Sequence, residues 1–151
     1  MAETVFSIEL EQEDDYRFRT TFDWPAAPAV AVDTSPPLGR GEGPDAERLL
    51  AAAVGYCLTA SLLFATRKFK QDPGTLRTQV SGTFARNERG RLRVGGLAVK
   101  IQLGEAGEQI AHLERALAQF EDFCTVTESV RRGIAVDVQV VDASGKTLHG
   151  P

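Results

Sequence analysis

The sequence is short of the residues that make sites easy to find. It has two histidines, His112 and His149, two cysteines, Cys57 and Cys124, one Met and one Trp. No CxxC or HxxxH pairing occurs, so no metal site is expected. Seventeen Lys and Arg face twenty-one Asp and Glu, a net charge of −4, and this deficit of positive charge argues against nucleic acid as a partner. The charge-free stretch Leu49 to Phe64 is shorter than the ~20 residues of a membrane span and contains Thr59 and Ser61, so no membrane association is expected. Met1 to Leu10 carries Glu3 and Glu9 without a basic start, so no secretory signal is expected and a cytoplasmic location is the default. No strand–turn–helix segment carries a glycine-rich phosphate fingerprint, which excludes a dinucleotide-binding fold and leaves no cofactor implied.

What is present suits one domain over residues 1–151, with 42% hydrophobic and 25% charged residues. Its organising stretch is Pro44 to Lys70. Pro44 and Asp45 start it, Glu47 lies near the positive end of the helix dipole, and Arg67, Lys68 and Lys70 lie near the negative end. Between them a helix apolar all round belongs in an interior. Cys57 sits in its middle.

Around this helix the pattern is mostly strand. Val5–Leu10 and Tyr16–Asp23 alternate with period two, and the acidic run Glu11 to Asp15 reads as their turn. Ala29 to Asp33 reads as a short strand within a Pro- and Gly-rich loop that carries Arg40. After a turn at Asp72-Pro73-Gly74 come two strands, Leu76 to Ala85 and Arg91 to Leu103, joined at Asn87 to Gly90. The apolar phase shifts at Gly95-Gly96, which predicts a bulge. Arg86, Arg89, Arg91 and Arg93 read as the wet face of this hairpin, with an anion-binding patch as the alternative. Gln109 to Phe123 is a second, amphipathic helix through Ile110, Leu113, Ala116, Leu117 and Phe120. Thr125-Val126-Thr127-Glu128 matches a capping box for a third helix, ending at Gly133. Ile134 to Val141 is a last strand with Ile134, Val136, Val138 and Val140 inside, before a frayed tail. The order is α+β with antiparallel sheet.

Two cysteines without a secretory context are more often free thiols or a redox pair than a structural disulfide. Cys124 lies at a helix start, where N–H groups favour a thiolate. Cys57 lies in apolar surroundings that raise a thiol pKa, so it reacts only with a cation beside it. Arg40, Arg17 and Arg19 are the available arginines. On these arguments alone two packed, inert thiols are the default reading, and a reactive pair is the alternative.

The segments GPDAERLLAAAVGYC and FCTVTESV resemble the OsmC/Ohr family of organic hydroperoxide resistance proteins. There a Pro-x-x-Glu helix start leads to a cysteine in an apolar helix, and a second cysteine opens a later short helix. Pro44, Glu47, Cys57 and Cys124 match those four features, and the element order matches along the chain. The resemblance implies a thiol-dependent peroxidase of oxidative stress defence. Cys57 would attack an organic hydroperoxide and become a sulfenic acid, Cys124 would resolve it as a Cys57–Cys124 disulfide, and a dithiol such as a lipoylated protein would reduce that bond. Glu47 would hold an activating arginine, Arg40 first and Arg19 or Arg17 as alternatives, that lowers the Cys57 pKa. Leu58, Leu62 and Phe64 would line an apolar site. Ten residues separate Glu47 from Cys57, about 15 Å of continuous helix. A homodimer with antiparallel copies of the helix would bring one chain's glutamate to the other's cysteine, as in the family's intertwined dimers with sheets wrapped around central helices. The competing readings are a non-catalytic binding protein for a lipid-like ligand and a cysteine redox sensor.

Overall fold

A computed structural model describes residues 5–133, 136, 138–144 and 146–150. Mixed α+β architecture is present, with seven strands in three antiparallel sheets and three helices among the described residues. The chain divides into two compact units, Met1–Tyr56 with Gly74–Gly104, and Cys57–Pro73 with Glu105–Pro151. The long helix, α1 (Ala46–Lys68), gives its first half to one unit and its second half to the other.

In the first unit, β1 (Ile8–Asp14), β2 (Arg17–Phe22) and β3 (Val30–Val32) form a sheet in that order. The acidic run is not the turn expected of it. Glu11 to Asp14 lies in the strand, Glu11 opposite Arg19 and Asp14 opposite Arg17 in the ladder, with Glu13 paired to Arg17 and Asp14 to Arg40. Reversal is left to Asp15, whose φ is 57°. Beyond β3, the nearly buried Asp33 carboxylate accepts N–H bonds from Thr34, Arg40 and Glu42 at 2.7, 3.2 and 3.0 Å, folding the loop back on itself. Asp45 then caps α1 by accepting the Arg48 N–H at 2.9 Å.

The hairpin of β4 (Arg77–Arg86) and β5 (Leu92–Gln102) completes this unit. The phase shift falls where Gly95-Gly96 placed it: Thr83 faces Gly96, Phe84 faces Val94, and Gly95 is the extra residue. Asn87 Oδ1 accepts N–H bonds from Arg89 and Arg91 and closes the turn. The four arginines there are exposed; Arg86 donates to the Gly90 carbonyl and Arg93 to the Leu92 carbonyl. Gly55 is where α1 seats on this hairpin. A Cβ there would come within 2.5 Å of Val80 Cγ2.

The second unit holds the end of α1, then α2 (Leu113–Gln119), α3 (Thr125–Arg132) and the ribbon of β6 (Val140–Val141) and β7 (Thr147–His149). The second helix starts later than its apolar pattern suggests. Gly107–Gln109 forms a 3-10 turn and His112 takes a left-handed conformation at φ 61°, its ring stacked on Phe69. A further 3-10 turn, Phe120–Phe123, ends the segment. The capping box does not form. Cys124 is the N-cap of α3 instead of Thr125, and Glu128 turns to Arg131 at 2.6 Å. Gly133, at φ 75°, stops the helix. Of the final strand, Ile134 lies outside the described residues, and Val136, Val138 and Val140 are exposed instead of inside. The tail expected to fray pairs back as β7.

Charge caps aside, α1 is apolar for longer than its charge-free middle suggests. An 18-residue window has a mean hydropathy of 1.9, long and apolar enough to cross a membrane, as the core helices of many soluble proteins also are. Only 39% of that window is buried within this chain. Leu58, Leu62 and Ala65 form its covered face, whereas Tyr56 is 77% and Phe64 54% exposed. A helix apolar all round has been given a core on one side only.

Candidate active site: a cysteine pair at the start of a helix

On the second half of α1, Cys57, Ser61, Phe64 and Lys68 recur at helical spacing and share one face. The Phe120–Phe123 turn and the start of α3 meet that face. Phe64 packs edge-on against the Phe123 ring with centroids 5.4 Å apart, and Lys68 Nζ lies 4.9 Å from the same ring centroid. Phe123 is thus held between two α1 side chains, and the next residue, Cys124, is pressed into the interior with no exposed surface. Arg131 braces the turn from outside, bonding Glu121 at 2.5 Å and Glu128 at 2.6 Å.

Both cysteines are free thiols, Cys57 half-buried and Cys124 buried. The two thiols lie close enough for each to shift the pKa of the other. Cys124 Sγ also lies 2.9 Å from Thr127 Oγ1, a contact in which the thiol donates while protonated and the hydroxyl donates once the sulfur is a thiolate. Burial on its own would push the Cys124 thiol up. The Cys57 S–H, the Thr127 hydroxyl, the Thr127 N–H and the Ser61 hydroxyl outweigh it and bring the thiol below its ordinary value. Cys57 goes the other way: burial raises it first, and its role as donor to Cys124 raises it further, against the N–H groups of Val126 and Thr127. Within the pair, the surroundings favour negative charge on Cys124 over Cys57.

Ser61 and Thr127 were not evident as site residues in the sequence, although two spacings point to them. Ser61 stands one turn after Cys57, and Thr127 is the third residue after an N-cap cysteine, the place from which a side chain reaches back to the cap. Leu58 and Leu62, expected to line the site, are buried core; Phe64 is the one of the three that packs beside Cys124, through Phe123.

The other expected residues belong to the first unit. Arg40 donates to Asp14 at 2.8 Å and to Glu42 at 2.8 Å, and these two carboxylates hold its charge firmly on. Arg17 pairs with Glu42 at 2.9 Å and with Glu13 at 3.5 Å. Arg19 is exposed on β2 opposite Glu11. Glu47 is exposed in the first turn of α1, at the edge of a recess of about 200 Å³ lined by Ala51, Val80, Phe84, Val94 and Leu97. Among the described residues no cluster of His, Cys, Asp and Glu could hold a metal ion.

The sequence signature of the OsmC-like protein family matches residues 39–139. No curated protein matches the sequence. Among solved structures, the fold is similar to a putative osmotic stress induced and detoxification response protein from Psychrobacter arcticus, at a TM-score of 0.70 and 16% identity, covering 85% of this chain and 90% of the other. An OsmC-like protein of unknown function from Vibrio cholerae follows at 0.67 and 16%, covering 84% and 94%. The organic hydroperoxide resistance protein OhrB of Bacillus subtilis is similar at 0.60 and 13%, covering 85% and 91%.

Proposed function

From the premise that this chain belongs to the OsmC-like family, we propose that it is a thiol-dependent peroxidase that reduces organic hydroperoxides through Cys57 and Cys124. One observation carries the reading: two free thiols lie close enough to shift each other's pKa, the more accessible on α1 and the buried one, brought below its ordinary value, at the start of α3. The Cys57 thiolate attacks the distal oxygen of the hydroperoxide, the O–O bond breaks, and the alkoxide leaves as an alcohol after taking a proton. Cys57 becomes a sulfenic acid. Cys124 then attacks the Cys57 sulfur, hydroxide leaves as water, and a disulfide closes. A dithiol reductant, a lipoylated protein or one like it, restores both thiols by exchange.

Within one chain the neighbours of Cys57 raise its pKa, so the attack needs a cation. Arg40 is our first choice, with Arg19 and Arg17 as alternatives, oriented by Glu47 in a site completed by a second copy of the chain. Support for the homodimer comes from the uncovered apolar side of α1, where Leu49, Tyr56 and Phe64 are 40%, 77% and 54% exposed. Two unpaired thiols fit a reducing compartment, and the reading places the protein in the cytoplasm, bound to neither membrane nor nucleic acid. A second reading, ligand binding or redox sensing without turnover, is favoured by the engagement of Arg40 with Asp14 and Glu42.

Thiol titration before and after one equivalent of cumene hydroperoxide tests the proposal. Loss of both thiols within seconds in the wild type, and of neither in Cys57→Ser, is the expected result. No loss, or equally fast loss in the variant, would sink it.

A further inference from the structure

The two sulfurs are neighbours in unequal surroundings, and that inequality has a chemical direction. Cys124 has no exposed surface, whereas Cys57 is half-buried. Cys124 Sγ has two hydroxyls beside it that can donate once it is a thiolate, Thr127 Oγ1 at 2.9 Å and Ser61, and sits as N-cap of an eight-residue helix. Cys57 is instead faced by the backbone N–H groups of Val126 and Thr127. In thiol–disulfide exchange the sulfur attacked must be reachable, and the sulfur expelled should be the one best able to hold a negative charge. Both criteria choose the same assignment.

We propose that a disulfide between these cysteines is opened in one direction, the reductant attacking Cys57 while Ser61 and Thr127 receive Cys124 as the departing thiolate. This rests on the reading of the pair as a redox couple. A reductant thiolate forms a bond to Cys57 Sγ, the S–S bond breaks, and its electron pair stays on Cys124 Sγ. The reductant's second thiol loses its proton and attacks the reductant sulfur now bound to Cys57. That closes the reductant's own disulfide and expels Cys57, which takes up a proton. Two electrons pass from the dithiol to the protein. The hydroxyls of Ser61 and Thr127 act on the first step, by giving hydrogen bonds to the charge as it appears on Cys124. The N–H groups of Val126 and Thr127, which face Cys57, act on its departure in the second.

The test uses the full chain oxidised with diamide, which closes the disulfide whether or not the protein reduces peroxides. A limiting amount of 2-mercaptoethanol is added, the reaction is quenched in acid, free thiols are blocked with N-ethylmaleimide, and the adduct is located by peptide mass mapping. The expected result is an adduct on Cys57 in roughly tenfold excess over Cys124. Thr127→Val and Ser61→Ala should each slow reduction by about three- to tenfold and shrink that excess, and Thr127→Ser should restore both. In Cys57→Ser, the thiolate absorbance of Cys124 should titrate at higher pH once Thr127→Val is added. An adduct found mainly on Cys124, equal labelling of both, or Ser61→Ala reducing like wild type would overturn the assignment. If Thr127→Val fails to fold, the mapping and Ser61→Ala decide. Failure of diamide to form any disulfide would overturn it too, by removing the contact it requires. A protein that closes with diamide but not with cumene hydroperoxide would refute the peroxidase reading alone.

Discussion

The two units treat their reactive groups in opposite ways. Around Cys124, the Thr127 and Ser61 hydroxyls and the Thr127 N–H favour negative charge on the sulfur. Around Arg40, the neighbours are Asp14 and Glu42, which satisfy the guanidinium and leave it nothing to do. The two thiols thus have their polar neighbours within one unit of the chain, while Arg40 stays neutralised in its own loop.

The largest test of this contrast is Arg40→Ala. If Arg40 activates Cys57, the second-order rate with cumene hydroperoxide falls by roughly 10²- to 10³-fold, the scale of losing one charge-stabilising donor. Closure of the disulfide by diamide, which needs no activated leaving oxygen, keeps its rate. Loss in Arg19→Ala or Arg17→Ala instead would move the role to β2. Next comes Tyr56→Asp, which sets a charge on the most exposed apolar side chain of α1. Light scattering should then report monomers, with peroxide turnover lost and diamide oxidation retained; a wild type that is itself monomeric would end the two-chain site.

A smaller effect is expected from Cys124→Ser on the remaining thiol. Cys57 is held up partly by donating to Cys124, so the iodoacetamide reactivity of Cys57 should move to lower pH in the variant. Smallest is the loop around Asp33. Three backbone N–H groups, Glu42's foremost, hold its carboxyl below the ordinary value. The ordering it lends is present above the unfolded-state carboxylate pKa and is lost as the pH falls through the folded one. Amide exchange between Thr34 and Glu42 should quicken on acidification, and Asp33→Asn should quicken it already at neutral pH.

Much of this arrangement was legible in the residues. Period-two alternation, paired glycines and an uncharged helix with charged ends placed most strands, the bulge and α1, because each depends on neighbours close in sequence. What was not legible depended on distant partners. The run Glu11 to Asp14 reads as a turn until Arg17 and Arg19 come opposite it. Thr125 and Glu128 read as a capping box until Arg131 takes the glutamate and Phe123, gripped by Phe64 and Lys68, drives Cys124 into the cap position. The valines at 136, 138 and 140 alternate as a buried strand should, yet among the described residues they are exposed. The cysteines and the direction of their inequality could be read from their places on the helices; the hydroxyls of Ser61 and Thr127 beside Cys124 could not.

The cap of α3 has a consequence for the design of the molecule. Serine, aspartate or asparagine starts a helix better than cysteine does, by about 1 kcal/mol relative to a residue that cannot cap. A chain selected only to persist would have little reason to keep sulfur there. Cys124→Ser should therefore raise the melting temperature or leave it unchanged while ending disulfide formation. The weak start of this helix is the molecule's concession of durability to reactivity.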